Sequence, residues 1–289
     1  MYKMIAIDLD GTLLDSYGNI STKNIQALEQ AVEKGSEIVI SSGRIFDSTK
    51  NFSDEINGTR YIISGNGSIV YDKKEKKTLY SNCIPKEKVL EIIDICDENS
   101  IYYSIYTNKG IIAKSLNYNV LFYQNENIAQ PDEKKISIDI LENIREYIET
   151  TEGEQYSKIS ICDKDEIVFS NILKKLKQID GADVLDIAHM SRKFFKQEGE
   201  TLEVKYFYTE ITSENVNKWT AIEYLLSHLG INKEDVMCIG DNVNDLEMIQ
   251  NAGLGVLMGN ANPLLKDASD IVVSTNNEGG VAEAIEKYN

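Results

Sequence analysis

A chain of 289 residues with 42% hydrophobic and 27% charged residues has the composition of a soluble globular protein, and length enough for one large domain or two ordinary ones. Its formal net charge of −17 argues against nucleic acid or an anionic membrane as the main partner, and obliges any anion site to supply local cations or backbone donors. No apolar run approaches the roughly 18 residues of a membrane-spanning helix, so no membrane partner is expected.

In chain order, residues 4–7 form an apolar run of the kind that fills a buried strand, and Asp8 and Asp10 stand where that strand runs out, near residue 9. Two carboxylates about 4 Å apart repel by roughly 1 kcal/mol in water and about 4 kcal/mol at an effective dielectric near 20, so something must offset them. Ser21 is the expected N-cap of a helix on which Ile25, Leu28 and Val32 share a face, and Gly35 closes it. Strands follow at 37–41 and 61–64, with "SIVYD" after the second. Apolar strands separated by helices favour a parallel sheet covered on both faces.

From residue 83 to residue 202 the chain is richer in Lys, Glu and Tyr, and Asn108–Lys109–Gly110 predicts a hairpin turn inside "YYSIYTNKGIIAKS". This stretch reads as a second α/β unit inserted into the first. Beyond it, Ile222, Leu225, Leu226 and Leu229 make one helical stripe ending at Gly230, followed by strands "VMCIG", "GVLM" and "DIVVS". The expected architecture is α/β: a parallel-sheet core of residues 1–82 and 203–289, with an inserted α/β domain of residues 83–202. The four cysteines, Cys83, Cys96, Cys162 and Cys238, form no C-x-x-C pair and read as reduced packing residues. With an N-terminal apolar run of four residues broken by Asp8, no signal peptide is expected, and the location expected is cytoplasmic.

Ligands of parallel α/β sheets bind outside the carboxyl ends of the strands. Three such ends carry polar residues: Asp8 and Asp10; then Ser41, Ser42, Gly43 and Arg44; and, in "GDNVND", Asp241, Asn244 and Asp245. Lys218, opening the helix before the last of these, is a candidate cation for the same place. Clustered carboxylates without His or Cys select a hard cation, and Mg²⁺ is commonly held by one or two carboxylates together with a substrate phosphate. The two histidines, His189 and His228, stand in unrelated contexts and make no zinc centre. "GDNVND" is no EF-hand, since its sixth position is Leu246 and its twelfth Ala252. "GNGS" at residues 65–68 is neither a P-loop nor a dinucleotide fingerprint.

The order of these elements resembles the haloacid dehalogenase-like phosphatases, in the Cof-type branch with a large cap inserted between the second and third motifs. "DLDGTLL" matches the first motif, Ser42 in "SSGR" the second, Lys218 the third and "GDNVND" the fourth; "GNGS" with "IVYD" and "NEGGVAEAI" resemble two further segments of the branch. Trp219 departs from the glycine usual after the lysine, and Ser42 replaces the commoner threonine while keeping the hydroxyl.

The resemblance implies a Rossmann-like core and an α/β cap that sets specificity. It implies Asp8 as nucleophile and Asp10 as general acid and base. Gly11, Ser42, Gly43, Arg44, Lys218 and Asn244 would surround the phosphate. The Mg²⁺ ligands would be Asp8, the backbone carbonyl of Asp10 and Asp241, with Asp245 in or near the second shell. The implied partner is a small phosphorylated metabolite, sugar-phosphate-like, cleaved through an aspartyl phosphate. A phosphomutase sharing these motifs, or a regulator that binds phospho-ligands without turnover, are the alternatives. Sequence does not indicate the oligomeric state or the physiological substrate.

Overall fold

The computed structural model describes the backbone of residues 1–185, 189–197 and 200–289, with side chains at all of these except 129, 189–197, 200–204 and 264. The side chain of His189 therefore lies outside the described residues. The chain divides into two compact units, Met1–Ser81 with Val216–Asn289, and Asn82–Asn215.

The first unit opens with β1 (Met4–Ile7), α1 (Thr22–Glu33), β2 (Glu37–Ser41), α2 (Phe46–Ser53), β3 (Tyr61–Ser64), β4 (Ile69–Asp72) and β5 (Lys77–Ser81). The second contains α3 (Lys86–Glu98), β6 (Tyr102–Thr107), β7 (Ile111–Ala113), α4 (Tyr118–Ala129), β8 (Ile138–Ile140) and α5 (Ile144–Thr150). It continues through β9 (Tyr156–Asp163), α6 (Glu166–Leu176), β10 (Ala182–Val184), β11 (His189–Gln197) and β12 (Glu200–Ser213). The first unit then closes with α7 (Lys218–Leu229), β13 (Val236–Gly240), α8 (Leu246–Asn251), β14 (Leu254–Leu257), β15 (Ile271–Val272) and α9 (Gly280–Tyr288).

The first unit is built on one sheet in the order β15-β14-β13-β1-β2-β3-β4-β5. Strands β15 through β3 run parallel, and β4 and β5 continue the sheet antiparallel. Alternation sends Ile5, Ile7, Ile38, Ile40, Met237 and Ile239 to the face covered by α1 and α9. Met4, Ala6, Val39, Tyr61, Val236 and Cys238 go to the face covered by α7. Both faces are dry, which is why the strands read as continuous apolar runs. Ser21 caps α1 as expected, its hydroxyl accepting from the Asn24 N–H, and Gly230 ends α7 in the left-handed conformation. Trp219 packs among Val39, Tyr61 and Ile222, so the departure from glycine after Lys218 fills the core behind the sheet.

β1 lies between β2 and β13, so the strand order runs outward from β1 to β3 on one side and from β13 to β15 on the other. That is the switch point at which α/β sheets open a crevice at their carboxyl edge. The carboxyl ends of β1, β2 and β13 are thereby neighbours.

The second unit holds a sheet in the order β10-β12-β9-β6-β7-β8, with β11 paired to β12. Val89 and Ile92 of α3, Ile144 and Ile148 of α5, and Phe169 and Ile172 of α6 pack against Tyr103, Ile105, Ile159 and Ile161. The turn after β6 is the expected one, closed by the Thr107 N–H on the Gly110 carbonyl. The expected return to the core at residue 203 is corrected: it falls inside β12, which pairs with β9 from Phe207 to Ile211 and with β10 up to Ser213. Ladder hydrogen bonds keep that strand in the second unit, and the division lies between Asn215 and Val216.

Candidate active site

β1 delivers Asp8 to the carboxyl edge, where its N–H still donates to the Ile239 carbonyl at 3.0 Å. The chain then turns tightly, with Thr12 and Leu14 donating back to the Leu9 carbonyl and Leu13 to that of Asp8. Gly11 makes the turn possible: it sits at φ +82°, and a Cβ there would lie 2.3 Å from Asp241 Oδ2. The Thr12 hydroxyl donates to Asp241 Oδ1 at 3.2 Å, which fixes Asp241 from the same turn.

Lys218 is the first residue of α7, whose N-cap, Asn217, forms a capping box with Thr220. Its Nζ is fully buried and donates to Asp8 Oδ1 at 2.5 Å and to Asp245 Oδ1 at 2.6 Å. The other oxygen of Asp245 accepts from the N–H groups of Asp241 and Asn242, at 3.0 and 3.1 Å. Asp245 is therefore a brace between helix α7 and the turn after β13. Gly240 makes room for it, since a Cβ at that position would come within 2.5 Å of the Asp245 Cβ.

Asp8, Asp241 and Asp245 can each offer a carboxylate oxygen within 4.8 Å of the others. With all three ionised, three carboxylates would face one ammonium group there, an excess of two negative charges that one divalent cation balances. Crowding these charges in a buried place shifts their proton affinities. Burial first, then the Asp245 carboxylate, hold Asp8 well above the usual carboxylate range in spite of Lys218. Burial and Asp245 likewise push Asp241 up to about 7. Burial alone would lower Lys218, but Asp245 and then Asp8 reverse this and hold it above the ordinary lysine value. The oxygen-only donor set and the charge deficit both fit Mg²⁺.

Asp10 stands outside that cluster, its side chain 56% exposed. Arg44, expected on the phosphate rim, instead turns its fork to Asp10, Nε to Oδ2 and Nη2 to Oδ1 at 2.7 Å each. Its Nη1 donates to the Ser48 hydroxyl at 3.0 Å and its guanidinium lies 5.0 Å from the Phe52 ring centroid. Ser42 is buried at the end of β2, its Oγ accepting from the Arg44 N–H at 3.2 Å. Gly43 is needed for a neighbour, because a Cβ there would lie 2.6 Å from Asn66 Oδ1. Asn244 donates from Nδ2 to that same Asn66 oxygen at 3.1 Å. Thr12, Ser48, Asn66 and Asn217 join this site without a role that the sequence motifs assign them. "GNGS" was the only visible signal for Asn66, and an N-cap asparagine before Lys218 was the one for Asn217.

The profile of the haloacid dehalogenase-like hydrolases matches residues 5–285. The chain is similar to phosphatase YwpJ of Bacillus subtilis, 28% identical over 293 residues that cover 97% of each chain. It is also similar to the 5-amino-6-(5-phospho-D-ribitylamino)uracil phosphatase YcsE of the same organism. That relative is 28% identical over 290 residues, covering 99% of this chain and 95% of the relative. A solved haloacid dehalogenase-like hydrolase from B. subtilis superposes with a TM-score of 0.81 at 25% identity, covering 99% of this chain and 100% of that one.

Proposed function

The chain belongs to the haloacid dehalogenase-like hydrolases, as a phosphatase of the Cof-type branch, and on that premise we propose that it is a Mg²⁺-dependent hydrolase of small phosphorylated metabolites working through an aspartyl phosphate. The observation that carries the reading is the convergence of Asp8, Asp241, Asp245 and Lys218, from three separate segments, within hydrogen-bonding or metal-bridging reach of one another.

In this reading Asp8 attacks the phosphorus, held in place by Lys218, and the phosphorus–oxygen bond to the alcohol breaks. Asp10 gives the departing oxygen its proton, then takes one from the water that cleaves the aspartyl phosphate. Ser42, Lys218, Asn244 and the backbone N–H groups around Gly11 grip the phosphate oxygens, each such donor lowering the barrier by on the order of 3 kcal/mol by analogy with other oxyanion sites. Asp8, Asp241 and the Asp10 carbonyl would hold Mg²⁺, with Asp245 beside them. When bound, the ion offsets repulsion between the anionic nucleophile and the anionic phosphate.

Residues 82–215 take the part of the cap that selects substrates. A ribityl phosphate, the kind of group named for YcsE, belongs among the first esters to try. The four free cysteines and the absence, among the described residues, of a helix able to cross a membrane support a cytoplasmic setting as part of the same proposal.

The test is a panel of phosphorylated metabolites and p-nitrophenyl phosphate with Mg²⁺, read as free phosphate without any sugar bisphosphate. Steady release that disappears in Asp8→Asn, and reversibly in EDTA, is the expected result. Full turnover in either condition rejects it, and dependence on a bisphosphate activator would mark a phosphomutase.

A further inference from the structure

Three of the four motif-bearing segments meet at one turn. Gly65–Gly67 follows β3, and its central residue, Asn66, is buried at φ 59° and ψ 22°. This is the left-handed region, which asparagine adopts more readily than other residues that carry a Cβ. The Asn66 N–H donates to the Ser42 carbonyl at 3.1 Å, and the N–H of Gly65 to the Arg44 carbonyl at 2.9 Å. The Asn66 side chain crosses Gly43 so closely that no Cβ fits there, and its Oδ1 receives Asn244 Nδ2 at 3.1 Å. On the far side of the turn Gly67, at φ +110°, passes so near the N-cap of α7 that a Cβ would lie 2.1 Å from the Asn217 carbonyl oxygen. The segment after β2, the turn after β13 and the start of the lysine helix thus rest on these glycines and this asparagine.

We propose that Asn66 is a positioning residue of the phosphate grip, acting through Asn244. A carboxamide is planar, so an acceptor that fixes one N–H of Asn244 fixes the direction of the other. The left-handed backbone of Asn66 lets its N–H hold the Ser42 peptide while its side chain orients Asn244. The two donors expected at the phosphate are therefore set by one residue rather than separately. The proposal rests on the phosphatase reading and adds a residue that touches neither substrate nor metal in it.

Asn66→Gly keeps the left-handed backbone available and removes only the carboxamide. The expected result is a loss of about tenfold in kcat/KM for p-nitrophenyl phosphate, the size of one hydrogen bond. Calorimetric titration with inorganic phosphate in Mg²⁺ buffer should show affinity weakened by the same factor. Asn244→Ala should do likewise, and the double variant should be no worse than Asn244→Ala alone, because the first residue acts through the second. Wild-type values in Asn66→Gly, or losses that multiply in the double variant, overturn the proposal. The phosphate titration needs no turnover, so a wild type that binds phosphate without hydrolysing esters overturns the phosphatase reading while the cycle still decides the role of Asn66. A wild type that binds no phosphate overturns both.

Discussion

Arg44 clasps both carboxylate oxygens of Asp10 at 2.7 Å, from a guanidinium itself 5% exposed and seated against Ser48 and Phe52. A planar fork on a carboxylate fixes orientation as well as position, which a lysine cannot do. Arg44→Lys should therefore lower kcat roughly 10- to 100-fold, within the span of general acid–base catalysis. Steady-state kinetics with p-nitrophenyl phosphate measures it. A KM increase with unchanged kcat would place Arg44 on the substrate instead.

Lys218 is the only described cation bridging Asp8 and Asp245. Lys218→Met should abolish turnover and also destabilise the fold by about 3 kcal/mol, because it strands buried carboxylates. Urea unfolding in EDTA reads the second effect directly, and an unchanged midpoint would refute it.

At Gly11 the cost of a methyl group is twofold, a strained backbone at φ +82° and a contact of 2.3 Å with Asp241 Oδ2. Gly11→Ala should lose about 1–2 kcal/mol of stability from the backbone alone. It should also displace Asp241, raising the Mg²⁺ concentration for half-maximal activity. A magnesium titration with wild-type behaviour would contradict this.

Away from the site, Asp72 is buried and paired with Arg60 at 2.7 Å, and it accepts from the N–H groups of Lys74 and Glu75. Arg60 first, then those N–H groups, hold its carboxyl below the ordinary 3.8. A depressed acid contributes stability that is complete above its unfolded value, near 3.8, and is lost as the pH falls through the lower folded one. Asp72→Asn should cost about 2 kcal/mol at pH 7 and flatten the loss of stability below pH 4. Unfolding curves from pH 7 to pH 3 decide it, and an unaltered acid limb would exclude the pairing as its cause.

What could be seen in the sequence was what local chemistry determines. Residues 4–7 announce a buried strand and Ser21 a cap because apolar runs and N-caps act within a few residues. The carboxylates at the ends of β1 and β13 could be matched because a parallel sheet brings its carboxyl ends to one edge. The direction of Arg44 could not, since a turn written "SSGR" leaves open whether the fork meets phosphate or Asp10. The end of the inserted unit was misplaced because the hold of β9 and β10 on β12 is made by residues distant in sequence. Asn66 was hidden for the same reason: its partners, Ser42 and Asn244, converge only in three dimensions.

The eight-stranded sheet is also self-limiting. One border, β15, is two residues long and offers little to a docking strand. The other, β5, follows a turn carrying Lys73, Lys74 and Lys76 and leaves its own Lys77, Thr78 and Ser81 exposed. Short borders and clustered lysines are how natural sheets deter a foreign strand from zipping on, so this sheet does not invite polymerisation at its flanks.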